Sequence, residues 1–260
     1  MNPPPPARLP LFFFHLHKCG GTTFINAAAA NGHRFASPCR CGLPLVSGGW
    51  KPTCDPMETG DGEIREFWNE PEAEARRWIH HLLTTGVDCL VQEYGPYNPA
   101  LWHGFFRTLC IRHPIDRIYS DFRHQQDEGK IAPHLTFPAW LEAGHMPRSM
   151  AALFCDQLGN GSPAVASSRL TDFHVIMVME HYDLTPMSGY GWHSLDAARH
   201  YKSWTPRRSE TGRSVLHSCP ALRLRMEKEC AGDIAVYERA RSHIVNAGPS
   251  GPGEMGSVLR

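Results

Sequence analysis

LPLFFFHLHKCGGTTF, residues Leu9–Phe24, changes character at its midpoint. Leu9–His15 is a compact apolar run with three consecutive phenylalanines, the composition of a strand buried on both faces of a parallel sheet. The run gives way to KCGGTT at Lys18–Thr23, and Phe24–Ala30 then reads as the start of a helix. Glycine at 20 and 21 lets the backbone turn tightly and approach an anion with no Cβ in between. The N–H groups of Gly21–Thr23 are first-turn donors of that helix. They have no acceptor within it, and the helix dipole adds to their pull on negative charge. The hydroxyls of Thr22 and Thr23 supply further donors. Lys18 stands before the glycines, so this is not the G-x-x-x-x-G-K-[ST] loop, whose lysine follows the second glycine. Read in isolation, the segment also fits an ordinary strand–turn–helix corner with an exposed lysine.

The same alternation continues outward. After an irregular Gly/Pro/Cys-rich excursion or lid over 32–62, residues 63–84 read as a helix. Val87–Tyr94 and Phe105–Ile111 read as strands, 114–126 as a helix, Phe173–Met179 as a buried strand and Leu222–Val245 as a charged amphipathic helix. Strands alternating with helices predict an α/β fold, a three-layer sandwich with a central parallel sheet and helices on both faces. One domain is expected over 9–247, between a flexible proline-rich lead-in at 1–8 and a flexible tail at 248–260.

TLCIRHPIDRIYSDF, residues Thr108–Phe122, is a second strand-to-helix corner. A buried strand delivers Arg112, Pro114 starts the helix, and Ser120 lies two turns on. Arginine at a strand end grips a phosphate in a fork, and a serine on the facing turn adds a hydroxyl. Arg117 and Tyr119 read as a solvated arginine and a packing aromatic.

Together the two segments resemble the signature loops of sulfotransferases that use PAPS (3′-phosphoadenosine 5′-phosphosulfate), especially the carbohydrate-type group with the heparan and chondroitin enzymes. The family's first loop runs approximately H-x-P-K-[TC]-G-G-[TS]-[TS] and its second L-R-[DHN]-P-x-x-R-x-x-S. His15–Thr23 departs from the first at His17, where proline is usual, and His113 stands where aspartate is frequent in the second. The resemblance implies a P-loop-like sandwich in which Lys18, Gly20, Gly21, Thr22 and Thr23 hold the 5′-phosphosulfate and Arg112 and Ser120 the 3′-phosphate. Lys18 would meet the oxygen that bridges phosphate and sulfonate, where charge builds as the S–O bond breaks. More weakly, FHVIMVMEHYDL at 173–184 resembles a later strand and turn of the family, and DIAVYERA at 233–240 its closing helix. WTPRRSETGRS at 204–214 resembles its basic loop, making Arg207 and Arg208 candidate nucleotide contacts or simply a solvated basic turn. The likeness covers about 9–245, and only the two loops are sharp.

In-line sulfonate transfer needs a base for the acceptor proton. Glu93 ends the strand DCLVQEYGP, where many relatives carry a histidine. Like charge and desolvation at the sheet mouth would raise its pKa and make it a better base. A plain surface carboxylate fits the position too, and His15, His17 and His103 are rival bases. Strand alternation turns His17 away from Lys18. The implied activity moves a sulfonate from PAPS to a hydroxyl or amine of a small metabolite or glycan, releases PAP and requires no metal. Two other readings stay open. One is a P-loop-type ATP-dependent phosphotransferase with Glu180 as its acidic strand end. The other is a non-catalytic nucleotide-binding module.

Apolar residues are 42% and charged residues 20% of the chain, an ordinary globular composition. Lysine plus arginine and aspartate plus glutamate number 26 each, so the net charge is zero. Neutrality speaks against nucleic acid and against a long sulfated polymer as partner, both of which call for a broad basic surface. No run reaches the roughly 18–20 apolar residues of a membrane span, and Leu9–Leu16 lacks the flanks of a signal peptide. The expectation is a soluble cytoplasmic protein or, by the resemblance, the lumenal domain of a Golgi-type enzyme. Nine cysteines is an odd number. Cys39, Cys41 and Cys54, with His33 nearby, read as free loop thiols, with a disulfide or a Cys3His zinc site as alternatives. Trp50, Trp68, Trp78, Trp102 and Trp140 suit either sugar stacking or the core.

Overall fold

The computed structural model describes residues 8–36, 67–84, 86–193 and 210–246. Leu11–His15 forms β1, Gly21–Ala30 α1, Phe35–Ala36 the short β2, Glu72–Thr84 α2, Cys89–Gln92 β3, Phe106–Ile111 β4 and Pro114–Asp127 α3. Four short helices follow: α4 (Phe137–Glu142), α5 (Arg148–Ala151), α6 (Leu153–Gly159) and α7 (Pro163–Arg169). Then come β5 (Val175–Val178), α8 (Gly212–Val215), α9 (Pro220–Glu229) and α10 (Ala231–Asn246). The strands make one sheet in the order β2-β3-β1-β4-β5, and every pairing is parallel. The chain is an α/β protein.

The phenylalanine run explains the centre. β1 lies between β3 and β4, with Leu11 opposite both Cys89 and Phe106. Alternation sends Phe12 and Phe14 to one face and Leu11 and Phe13 to the other, and all four are fully buried. Phe12 and Phe14 meet α2, α6, α7 and α10 through Ile79, Leu82, Phe154, Leu158, Val236 and Tyr237. Leu11 and Phe13 meet α1 through Phe24, Ile25, Ala27 and Ala28, with Met187, Tyr190 and Trp192 alongside. A third cluster wraps α3 with α4, α5 and α9.

This layering sends the connections of neighbouring strands to opposite faces. The chain leaving β1 covers one face with α1. The chains leaving its two neighbours cover the opposite face, with Tyr97 and Trp102 after β3 and α6 and α7 after β4. Adjacent strands whose connections diverge open a cleft at their C-terminal ends. The Lys18 and Arg112 loops flank it.

Local chemistry moved several boundaries. The first strand starts at Leu11 because Pro10 has no N–H to donate to the ladder. The first helix begins at Gly21 rather than Phe24, with Gly20 as a left-handed N-cap at φ 88°. The helix read over 63–84 begins at Glu72, just after Pro71. The single helix read over 222–245 is two, broken at Cys230. Residues 137–169, which carry no long apolar period, fold into four helices of seven residues or fewer. The lead-in, most of the 32–62 excursion and the tail lie outside the described residues. Among the described residues no helix is long and apolar enough to cross a membrane.

Candidate functional site

β1 ends at His15, and the loop beyond it is tightly wound. The Cys19 N–H returns to the Leu16 carbonyl at 3.0 Å, and the Thr23 and Phe24 N–H groups both donate to the Gly20 carbonyl, at 3.1 and 3.3 Å. That leaves Gly21 and Thr22 as the first-turn donors without an acceptor inside the helix. Lys18 sits at φ 63°, one of two described non-glycine residues with positive φ. The other, Asn160, belongs to a side chain that tolerates this region at a helix end. A lysine there is disfavoured by about 1–2 kcal/mol, and backbone strain of this kind gathers at ligand sites. The two glycines are also required by packing. A Cβ on Gly20 would lie 2.6 Å from the Met179 sulfur, and one on Gly21 would overlap the His15 imidazole at 2.0 Å.

The second loop touches the first. The Cys19 thiol is buried against the backbone of Arg112, with Arg117 and Arg112 both adding positive charge near it. Burial dominates and pushes the thiol up to about 12. Arg112 follows the last residue of β4, and His113 caps α3 with Pro114 at its first position. Lys18, Thr22, Thr23, Arg112 and Ser120 are all half-buried. Arg207 and Arg208 lie outside the described residues.

β3 contributes the acidic side. Gln92 is fully buried, and its Nε2 reaches the carbonyls of Tyr94 and Pro96 at 3.1 Å, folding the exit turn so that Glu93 points inward and Tyr94 outward. The Glu93 Oε1 receives His17 Nδ1 at 3.1 Å and lies 3.6 Å from His15 Nδ1. His17 Nε2 meets Asp121 Oδ1 at 3.1 Å, and Gln125 Nε2 donates to Asp121 Oδ2 at 2.8 Å. A chain of side chains thus crosses the cleft from His15 through Glu93 and His17 to α3. Burial opposes a charge on His17, but the hydrogen bonds to Asp121 and Glu93 outweigh it, and its pKa is raised. Burial lowers that of His15, against the pull of Glu93. Burial works to raise Asp121, yet the bond from His17 leads a set of favourable contacts that hold it below the usual carboxylate range. Lys18 faces the same helix, where its charge is felt by Asp121, His124 and Glu128. His17 and Lys18 therefore both turn toward α3. The strand has ended at His15, so its alternation no longer separates them.

Other expectations are corrected. Arg117 is not solvated. It is 1% exposed, donates to the Met150 carbonyl, and has an Nε with no acceptor. Its neighbours on α5, α6 and α10 come from segments whose packing the sequence hides, so nothing in its spacing marks it. His103 precedes β4, at the opposite end of the sheet from Glu93, and is not brought together with it. Trp68, Trp102 and Trp140 are core residues at 6, 0 and 4% exposure, and Trp78 packs against the core. Trp50 lies outside the described residues.

Two further groups have partners of their own. Glu180 accepts the His113 N–H at 2.8 Å and lies 3.9 Å from Arg213, whose guanidinium is paired to the buried Asp116 at 2.7 Å. His33 Nδ1 lies 3.2 Å from Asp88, and its Nε2 accepts the Trp192 indole N–H at 2.9 Å. Both ring nitrogens of His33 thus have partners. Cys39, Cys41 and Cys54 lie outside the described residues, and among the described residues no cluster of three metal-ligating side chains occurs. Compared with family models, with curated proteins and with solved structures, the chain matches none.

Proposed function

We propose that the chain is a sulfotransferase that moves a sulfonate from PAPS to a hydroxyl or amine of a small metabolite or glycan, using a P-loop-like nucleotide cleft. One observation carries the reading. The lysine loop, strained at Lys18, and the arginine loop touch through Cys19 and the Arg112 backbone at one sheet edge. Two anion cradles side by side suit one nucleotide phosphorylated at its 5′ and 3′ positions.

Lys18 and the first-turn amides of α1 would hold the 5′ end, and Arg112 with Ser120 the 3′-phosphate. Bound PAPS supplies the sulfonate. The acceptor oxygen or nitrogen forms a bond to sulfur as the S–O bond to the 5′-phosphate breaks. The acceptor proton passes to the Glu93 carboxylate, and the electron pair leaves on PAP. Lys18 neutralises the negative charge that grows on the departing oxygen, a stabilisation that exists mainly in the transition state. Weighing against the ATP phosphotransferase reading, Glu180 accepts the His113 N–H and lies 3.9 Å from Arg213.

The test is a thermal-shift comparison of PAP, ATP and NAD followed by an acceptor screen with labelled PAPS in EDTA. PAP at 100 times its Kd should add about 2.7 kcal/mol of stability. Stabilisation by ATP alone, with no label transfer, would refute the assignment.

A further inference from the structure

We infer that His17 is a positioning residue, a fixed imidazolium that locks Glu93 and Asp121 across the cleft and so holds the base and the Lys18 loop in register. This rests on the sulfotransferase reading for the role of Glu93, and it assigns work to the one position where the loop departs from the family pattern.

With Glu93 and Asp121 both ionised, the geometry requires the charge. Ionised carboxylates only accept hydrogen bonds, and His17 offers one nitrogen to Glu93 and the other to Asp121, each at 3.1 Å. Both bonds exist together only when the ring carries two protons. The partners are themselves fixed. Asp121 is held by Gln125 at 2.8 Å, and Glu93 is 6% exposed on a turn braced by Gln92. Three elements therefore meet at one ring: the loop after β1, the turn after β3, and α3. Facing the ring are Glu93 from β3, Asp121 from α3, and His15 and Lys18 from its own segment. His124 and Glu128 of α3 feel both Lys18 and each other. The Tyr94 ring, 6.3 Å away and 43% exposed, closes the outer side. Loss of one proton frees one carboxylate, and the bridge opens.

The sign follows. A histidine whose pKa is raised on folding contributes fully below its unfolded value, and the contribution fades as pH rises through the raised one. Asp121, held low, contributes until acid reaches its lowered value. Between those limits the bridge stands. Label transfer by the wild type should therefore fall on the alkaline side as His17 loses its proton.

The experiment compares wild type and His17→Gln, which spans the same gap without a charge. The expected result is a fall of about 10–100-fold in kcat, the scale of a misplaced catalytic group. The alkaline decline should also vanish. An unchanged kcat and a superimposable pH profile would overturn the inference while leaving the sulfotransferase reading intact. If the wild type neither binds PAP nor transfers label, it is that reading which fails. A second measurement needs no variant. Nitrogen-15 spectra of the wild-type histidines through a pH titration should show one ring that keeps both protons to higher pH than an unperturbed histidine, missing in His17→Gln. Finding no such ring in the wild type would equally overturn the bridge.

Discussion

Two histidine–carboxylate pairs sit at opposite ends of this sheet, and they are built for different ends. At the N-terminal edge His33 lies between Asp88 and Trp192. The indole N–H only donates, so His33 Nε2 accepts it while Nδ1 faces Asp88. The network is closed, and it ties α1 and β3 to the chain after β5. A cavity of about 330 Å3 opens beside it, lined by Arg8, Leu9, Leu83, Asp88 and Tyr190. At the C-terminal edge His17 lies between two carboxylates with Lys18 beside it, so four ionisable groups meet in one place. Histidine and acid make a brace when an uncharged donor completes the set. They make an electrostatically loaded site when a second acid and a lysine do.

If this contrast is right, damage at the two edges should separate function from stability. The largest effect should come from Lys18→Ala, with label transfer from PAPS falling about 100–1,000-fold, the scale of losing one transition-state donor. A thermal melt should change little, since the side chain is only half-buried and the backbone strain at this position persists in the variant. Arg112→Ala should weaken PAP about 10–100-fold by calorimetry, as expected for bonds to a charged group worth about 1.5–3 kcal/mol. At the other edge Trp192→Phe removes the donor to His33 and should cost about 1–3 kcal/mol in denaturant unfolding, with PAP affinity untouched. The smallest effect concerns Cys19. Its thiol, pushed up to about 12 by burial, should stay unmodified by a disulfide reagent at pH 8 until the protein unfolds. Rapid labelling of native Cys19 would mean that the two loops do not close over it.

The same contrast shows what could be read from residues alone. Leu11–Phe14 announced a central strand because burial on both faces demands apolar residues at every position, and the structure buries all four. Pro114 marked the start of α3 because its ring fits the first helical position. Alternating elements gave the parallel sheet. The four short helices at 137–169 left no period to detect, since six or seven residues hold less than two turns. The bridge at His17 was invisible for another reason. Glu93 is 76 residues away and Asp121 is 104, and only the sheet order brings them to one ring. Arg117 reads as a surface arginine until Met150 and its neighbours fold over it. The gap that His15 fills over Gly21 is likewise a product of tertiary packing.

The central claim is that the Lys18 and Arg112 loops hold opposite ends of one nucleotide. Calorimetric titration of wild type, Lys18→Ala and Arg112→Ala with PAP and with 5′-AMP, which lacks the 3′-phosphate, tests it directly. The wild type should prefer PAP by about 10–100-fold, the worth of a charged phosphate contact. Lys18→Ala should keep that preference while binding both more weakly, and Arg112→Ala should lose it. An equal preference in wild type and Arg112→Ala would contradict the account.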